Sequence, residues 1–248
     1  MGMGMGTGDV GFFLVHGGAH DSRCWEPLLP LLDGPAKAID LPGRHGSGSE
    51  LSLLRLSDFV DSALADLDAF NAAGHVIVVG HSMAGITIPK LAALRPSRVG
   101  HLVFLSCFIP KEGTSVLDGL PLPLRWITRA SLPFAGRRSM PPALARRLFC
   151  NDMDADQERF ALSVLTSEAV KVIREPVSRL DLPAHSDIPR TFIRLSQDRA
   201  LPPTLQERLI DNLGECDVVT LDSGHNAMIS HPRELAAVLN GLALNVSA

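Results

Sequence analysis

Short apolar runs alternate along the chain with longer segments in which apolar residues recur every three or four positions. The short runs predict buried strands, and the longer segments predict helices that pack against a sheet. Strands are predicted at residues 10–15, 36–40, 75–80, 99–105, 190–195 and 216–221. Helices are predicted at residues 23–32, 57–71, 83–94, 203–212 and 232–242. The pattern therefore predicts an α/β fold, with a mostly parallel sheet and helices on both of its faces.

The alternation of strands and helices is interrupted once. Residues 110–188 contain no strand-like run but many Pro and Arg residues, followed by a helical pattern from residue 156 to about residue 174. We expect this segment to form a helical lid inserted after the fourth strand. The chain then divides into a flexible N-terminal segment (1–9), the first part of the core (10–109), the lid (110–188) and the second part of the core (189–248).

The segment after the third predicted strand, residues 80–85, reads Gly-His-Ser-Met-Ala-Gly and opens a predicted helix. A strand, a sharp turn and a helix in this order are typical of a nucleophile elbow. Such a turn is tight, so the residues two before and two after the serine must be small. Gly80 meets this requirement, and Ala84 stands where a second glycine is usual. We therefore expect Ser82 to be a nucleophile, with Ala84 still small enough for the turn.

A histidine and an aspartate follow later strands in the chain order that such a nucleophile uses. A serine hydroxyl is a weak nucleophile, so it needs a base within hydrogen-bond reach and a carboxylate that orients the base. His225 comes directly after the sixth predicted strand, and Asp198 after the fifth. We expect them to be the base and the acid. Asp222 is the rival acid, but it stands so close to His225 in sequence that we expect it to cap a turn.

A His-Gly-Gly sequence at residues 16–18 directly follows the first predicted strand. Backbone N–H groups in such a turn can stabilise the negative charge that develops on a substrate oxygen. We expect Gly18 to supply one N–H, because no side chain obstructs it, and Met83 to supply the other. His16 itself is expected to be buried and bonded to the backbone. His20 could line the pocket or make a structural contact, and the sequence leaves both interpretations open.

Composition and charge narrow the class of protein. The 248 residues carry a formal net charge of −4, which argues against a broad surface for nucleic acid or anionic membrane, because such surfaces need clustered positive charge. The four cysteines show neither Cys-x-x-Cys nor Cys/His spacing, and the chain has no dinucleotide-binding fingerprint, so we expect no metal and no organic cofactor. Without a membrane-spanning run or a signal-peptide pattern, we expect a cytoplasmic protein that acts on a small molecule and could form a homodimer.

With these residues placed, the chain resembles the α/β-hydrolase family, and within it the plant-type methylesterase and hydroxynitrile lyase branch with its bacterial relatives. The resemblance rests on Leu-Val-His-Gly-Gly at residues 14–18, Ile-Asp-Leu-Pro-Gly at 39–43, the elbow, and Gly-His-Asn-Ala-Met at 224–228. It implies an α/β-hydrolase fold that hydrolyses small esters without a cofactor, under a lid whose tryptophan lines the pocket. Trp126 falls in the predicted lid and is either that residue or an ordinary packing residue.

Departures from the branch exclude epoxide hydrolysis, make a hydroxynitrile lyase a less favoured alternative and leave other chemistries open. Members that cleave cyanohydrins carry a lysine directly after the catalytic histidine, whereas this chain has Asn226, which argues against lyase activity. Epoxide hydrolases of this fold use an aspartate nucleophile and lid tyrosines, whereas the elbow here carries Ser82 and the chain has no Tyr. The leading hypothesis is a serine carboxylesterase for a small, largely hydrophobic ester. A lactonase or carbon-carbon bond hydrolase with the same triad is the alternative, and a non-catalytic ligand-binding receptor is a further one.

Overall fold

The computed structural model of the chain describes residues 10–44, 51–72, 74–120, 122, 125–126, 140–178 and 187–246. The expected flexible segment, residues 1–9, lies outside the described residues, as do parts of the expected lid. The division of the chain into two core parts and a lid therefore stays a prediction.

Six parallel strands form one sheet in the order β2-β1-β3-β4-β5-β6. The strands are β1 (Gly11–Val15), β2 (Ala36–Ile39), β3 (Val76–His81), β4 (Val99–Leu105), β5 (Arg190–Leu195) and β6 (Asp217–Leu221). Each lies within one residue of its predicted bounds. The predicted α/β fold is confirmed, because every described pairing in the sheet is parallel and helices cover both faces.

Crossover segments connect the parallel strands; the one between β1 and β2 contains only 3-10 turns, and the others contain helices. Their bounds are α1 (Leu56–Ala69), α2 (Ile88–Leu94), α3 (Val116–Gly119), α4 (Pro142–Phe149), α5 (Ala155–Ser163), α6 (Val170–Arg174), α7 (Pro203–Leu213), α8 (Ala227–Ser230) and α9 (Pro232–Val246). Helices were correctly predicted at α1, α7 and α9, with bounds that differ by at most four residues. Among the residues that the structure describes, none of these helices is both long enough and apolar enough to cross a membrane.

Two buried clusters lie on opposite faces of the sheet, because successive strand residues point to opposite sides. In β1, Phe13 belongs to the cluster that includes Phe59 of α1 and Leu209 of α7. Its neighbour Phe12 belongs to the other cluster, with Leu239 of α9 and Phe149 of α4. The continuous apolar runs in the sequence therefore reflect strands that are covered on both faces.

The predicted helix at residues 23–32 is wrong: two 3-10 turns, Ser22–Trp25 and Leu29–Leu31, stand in its place. Pro27 and Pro30 explain the difference, since proline has no N–H to donate and its ring clashes with the carbonyl four residues earlier. The predicted helix at residues 83–94 also divides, into a 3-10 turn, Ser82–Ile86, and α2.

The helix predicted from residue 156 to about residue 174 is interrupted. Two helices, α5 and α6, form in this stretch instead of one, and between them Leu165 forms an antiparallel bridge with His20. Thr166 also donates its N–H to the carbonyl of Ala19, at 2.8 Å. The backbone between the two helices therefore bonds to the loop after β1 rather than to its own preceding turn.

Candidate active site

Ser82 lies on a sharp turn at the carboxyl end of β3. Its φ of +52° is in the left-handed region, which is uncommon for a residue other than glycine. The carbonyl of Ser82 accepts the N–H of Phe108 at 2.8 Å, which fixes the turn against the segment after β4. A Cβ added at Gly80 would lie 2.9 Å from the side chain of Ile88, and one at Gly85 would overlap the carbonyl of Phe108. The tight glycine positions are therefore 80 and 85, and position 84 accepts alanine.

The three predicted triad residues meet in space although they are far apart in sequence. The Ser82 hydroxyl lies 3.1 Å from Nε2 of His225, and Nδ1 of His225 lies 2.7 Å from Oδ2 of Asp198. All three residues are buried. With Nδ1–H donating to the carboxylate, Nε2 is free to accept the proton of the Ser82 hydroxyl.

The Asp198 carboxylate accepts further hydrogen bonds that the sequence did not reveal. Its Oδ2 accepts the hydroxyl of Ser106 at 2.7 Å, and its Oδ1 accepts the N–H groups of Ala200 (2.8 Å) and Leu201 (2.7 Å). Ser106 is fully buried and directly follows β4. Its position at the carboxyl end of the strand beside β5 was the signal that could have identified it.

Asp222, the rival acid, bonds elsewhere. It accepts hydrogen bonds from the hydroxyl of Ser196 and from Nε2 of Gln197, the latter at 3.0 Å. These two bonds, the one from Ser196 first, hold the pKa of Asp222 below its usual value. The carboxylate thus links the loops after β5 and β6 through two side-chain donors, and the expected capping of its own turn stays a prediction.

Two neighbours support the His225 side chain and backbone. The ring of Phe149, at the end of α4, stacks on the His225 imidazole with centroids 5.3 Å apart. Nε2–H of His81 donates to the carbonyl of His225 at 3.0 Å. Burial is the main cause that lowers the pKa of His81 well below its usual value, so this histidine is neutral when it donates.

The loop after β1 brings Gly18 to the same cavity as Ser82 and Met83. A Cβ added at Gly17 would lie 2.8 Å from the Cβ of Ser82, so only glycine allows the loop to approach the elbow so closely. Ala19 has a φ of +58°, and its N–H donates to Oε2 of Glu168 at 2.8 Å. A carboxylate from the segment between α5 and α6 therefore holds the backbone directly after Gly18.

Glu168 is paired with Arg44, which follows β2. Nη2 of Arg44 lies 3.0 Å from Oε2 of Glu168, and the two side chains are 0% and 10% exposed. Nε of Arg44 also donates to the carbonyl of His20 at 2.7 Å. Neither residue was predicted from the sequence. Arg44 lies in the loop after β2, five residues past the end of the strand, and nothing local marks Arg44 or Glu168.

His16 and His20 have structural contacts. Nδ1–H of His16 donates to the carbonyl of Gly17 at 2.8 Å, and its Nε2 accepts the N–H of Leu41 at 3.1 Å, as expected for a buried, backbone-bonded histidine. Nδ1–H of His20 donates to the carbonyl of Gly18 at 2.8 Å, and its Nε2 lies 3.1 Å from Nδ2 of Asn226. Burial lowers the pKa of His20 to about 4. Of the two interpretations of His20, the structure favours the structural contact.

A cavity of about 230 Å³ opens beside Ser82 and His225. Its described lining is largely apolar, and Glu168 is the one acidic side chain in it. The small and apolar residues of the lining are Gly18, Ala19, Met83, Phe108, Val116, Leu120, Met140, Leu148, Phe149, Ile173, Ala200 and Leu201. Trp126 does not line this cavity in the described part of the chain, and its side chain is 68% exposed. Across the described ranges, no three His, Cys, Asp or Glu side chains are grouped as metal ligands would be.

Residues 12–238 match the model of the alpha/beta hydrolase family. The chain belongs to the alpha/beta hydrolase family. The match runs from β1 into α9, so Ser82, Asp198 and His225 of this alpha/beta hydrolase all fall within it.

Relatives of this alpha/beta hydrolase match over nearly their full length. Norfluorocurarine synthase 2 of Strychnos nux-vomica is 28% identical over 257 aligned positions, which cover 95% of this chain and 96% of the relative. Methylesterase 9 of Arabidopsis thaliana is 24% identical over 241 positions, which cover 90% and 94%. The resemblance inferred from the motifs is therefore confirmed, since the relatives include a plant methylesterase.

A solved structure shares the fold. It is an extracellular alpha/beta-hydrolase from a Paenibacillus species, described as sharing structural and functional homology with tobacco salicylic acid binding protein 2. The two chains superpose with a TM-score of 0.83 at 20% sequence identity, over 93% of this chain and 97% of that one. This likeness establishes the architecture around the site.

Proposed function

We propose that this alpha/beta hydrolase is a carboxylic ester hydrolase that uses Ser82 as nucleophile, His225 as base and Asp198 as the orienting acid. One observation carries the proposal: the hydrogen-bond chain from Asp198 through His225 ends at Ser82, which lies on a left-handed turn and lines an apolar cavity. A base and a carboxylate arranged in this way activate a serine hydroxyl for acyl transfer.

The reaction has two halves. Nε2 of His225 takes the proton of the Ser82 hydroxyl while Oγ attacks the ester carbonyl and forms a tetrahedral intermediate. The intermediate collapses when the protonated His225 gives its proton to the leaving alcohol, and an acyl group remains on Ser82. Water then attacks the acyl carbonyl while His225 takes its proton, which gives a second tetrahedral intermediate. This intermediate collapses when the bond from the acyl carbon to Oγ breaks and protonated His225 gives its proton to Oγ, so the acid product leaves and Ser82 is restored.

The backbone N–H groups of Gly18 and Met83 stabilise the negative oxygen of each tetrahedral intermediate. Support comes from the cavity, which both residues line together with Ser82. Donors fixed in a water-poor site stabilise a developing charge more than water does, and removing one such donor from a related site costs on the order of 10²–10³ in rate. Ala19, whose N–H is already bonded to Glu168, is not free to act as a further donor.

The substrate is a small, largely hydrophobic and neutral ester. The apolar lining supports this, because it would desolvate a charged acyl group without offering it a cationic partner. The name of the methylesterase relative agrees with ester hydrolysis. Asn226, in the position where cyanohydrin-cleaving members carry lysine, donates to His20 and so gives no cation beside His225. No cofactor or metal takes part in this scheme, and the cytoplasmic location and the homodimer remain predictions.

The proposal is tested by ester hydrolysis with matched variants. We expect the wild-type protein to hydrolyse p-nitrophenyl esters of short acyl chains, and Ser82→Ala and His225→Ala each to lose nearly all of this activity. Because the two residues act as a unit, the double variant should lose little more than either single variant.

Two controls accompany these variants. Ser196→Ala removes an exposed hydroxyl outside the proposed triad and should keep activity. Lactones and carbon-carbon bonded substrates tested in parallel identify the alternative chemistries on the same triad. Wild-type activity in Ser82→Ala, or losses that add in the double variant, would contradict the proposal.

A further inference from the structure

Asp152 lies in the predicted lid, and its carboxylate takes no part in the reaction proposed above. It follows α4, and its side chain is only 5% exposed. A buried carboxylate is costly unless hydrogen-bond donors compensate it. The positions of its donors therefore indicate what Asp152 does.

One oxygen of Asp152 bonds to both sides of His225. Oδ2 accepts the N–H of Gly224, at 2.5 Å, and the hydroxyl of Ser230, at 2.8 Å. Gly224 directly precedes His225, and Ser230 is the last residue of α8, the short helix that follows it. Nδ1 of His231 lies 3.3 Å from the same oxygen. The carboxylate thus holds the turn before His225 and the helix after it.

Gly224 is adapted to this contact. A Cβ built at Gly224 would overlap the Asp152 carboxylate, so any larger residue would displace either the turn or the lid. The φ of Gly224 is not in the left-handed region, so the glycine is required by the space and not by the backbone conformation. This gives a physical reason for the glycine before His225.

The residue before Asp152 makes the corresponding contact with the acid loop. Nδ2 of Asn151 donates to the carbonyl of Gln197, which directly precedes Asp198, at 3.0 Å. Gln197 in turn donates its N–H to the carbonyl of Ser223, at 3.0 Å. Two consecutive lid residues therefore contact the backbone just before the acid and just before the base.

We propose that Asp152 is a positioning residue for His225, which rests on the function proposed above. Its carboxylate fixes the His225 backbone at the point where Nε2 lies 3.1 Å from the Ser82 hydroxyl and Nδ1 lies 2.7 Å from Asp198. Asn151 adds the matching contact on the acid side. A displacement of about 1 Å in such a geometry can cost on the order of 10² in rate. The lid thus acts on the chemical step as well as covering the cavity.

The test compares Asp152→Ala with Asp152→Asn. Alanine removes the acceptor, so we expect kcat to fall about 30- to 100-fold while KM changes less than about threefold, because the cavity lining is untouched. In Asp152→Asn, the amide oxygen can take the place of Oδ2 and accept the same hydrogen bonds, so the kcat of this variant should stay within about fivefold of wild type. Asp156→Ala is the matched control, since this lid carboxylate is 86% exposed. Rates are divided by the number of sites that a fluorophosphonate labels at completion, which removes any unfolded fraction.

A variant that fails to fold does not end the test. Ser230→Ala removes one of the bonds to Oδ2 and leaves the others, so its kcat should fall about three- to tenfold at unchanged KM. Wild-type kcat per labelled site in Asp152→Ala or Ser230→Ala overturns the proposal, as does an equal loss in Asp152→Asn and Asp152→Ala. The proposed function fails separately, if the wild-type protein hydrolyses no ester or if the label attaches to a residue other than Ser82.

Discussion

At the scale of single residues, the hydrogen bonds of Asp198 determine which tautomer His225 adopts. Oδ1 accepts two backbone N–H groups, from Ala200 and Leu201, and Oδ2 accepts the Ser106 hydroxyl together with Nδ1–H of His225. The side chain cannot rotate without losing donors. Nδ1 of His225 therefore keeps its proton, and Nε2 remains the acceptor that faces Ser82.

Asp198→Asn should lower kcat on the order of 10³–10⁴-fold, as in triads whose acid is replaced by its amide. The asparagine oxygen would stay with the two N–H groups, and its NH2 would face His225. Nδ1 then has to accept a hydrogen bond, Nε2 carries the proton, and the base can no longer take the proton of Ser82. The check is steady-state kinetics of folded protein, with the melting temperature as the measure of folding.

Asp222→Asn is the matched control for this change. Its carboxylate is exposed and bonds to Ser196 and Gln197, so kcat should change less than about threefold. If Asp222→Asn loses more activity than Asp198→Asn, the acid has been misassigned.

The meeting of Ser82, Asp198 and His225 was predictable from sequence, whereas the residues that hold them in place were not. Ser82, Asp198 and His225 each follow a strand within a short motif, and parallel strands bring their carboxyl ends to one edge of the sheet. Asp152 lies between α4 and α5 and Glu168 between α5 and α6, where no local pattern relates them to the loops after the strands. Their partners depend on how these helices pack against the sheet, which is a property of the tertiary structure.

At the scale of elements, the strands were predictable because they are apolar throughout and buried on both faces, as in β3. The predictions failed where another contact or residue type overrides helical periodicity. Pro27 and Pro30 break the helix after β1, and the bridge from Leu165 to His20 separates α5 from α6. Glu168 lies in the same stretch between α5 and α6, so the break between these two helices coincides with a contact to the loop that contains Gly18.

The Arg44–Glu168 pair joins the segment between α5 and α6 to that loop, and its charge balance should matter to the reaction. Arg44→Met leaves a nearly buried carboxylate unpaired beside the oxygen that becomes negative, so kcat/KM should fall about 10- to 100-fold. Glu168→Gln removes the charge and keeps an acceptor for the Ala19 N–H, so its loss should stay below about tenfold.

The double variant distinguishes charge balance from simple loss of contacts. Arg44→Met with Glu168→Gln should recover most of the activity that Arg44→Met loses, with a coupling energy of about 1–3 kcal/mol. Values of kcat/KM for the four proteins provide the check. Losses that add in the double variant would mean that the charge of Glu168 is unimportant to the reaction.

At the scale of the whole molecule, buried histidines make stability depend on pH. Burial is the largest cause that lowers the pKa of His16, His20 and His81, and the pKa of His20 falls to about 4. An unfolded histidine has a pKa of about 6.5. Between these values the unfolded chain binds protons that the folded chain does not, so stability is complete above about pH 6.5 and is lost as the pH falls towards 4.

His20 alone should remove about 2 kcal/mol from the free energy of unfolding between pH 7 and pH 5. The measurement is urea unfolding at both pH values for the wild-type protein and for His20→Gln, which cannot titrate. The variant will be less stable at pH 7, but the difference between its two values should be smaller than in wild type by about this amount. An equal difference in both proteins would show that His20 is protonated in the folded state or does not titrate in this range.

The central claim is that Ser82 is the nucleophile and that His225 activates it. The most direct measurement is mass spectrometry of peptides from protein treated with a fluorophosphonate, compared between wild type and His225→Ala. We predict a single adduct on Ser82 in the wild-type protein, and labelling slowed by at least about 100-fold in the folded variant. An adduct on another residue, or equal labelling rates in the two proteins, would contradict the claim.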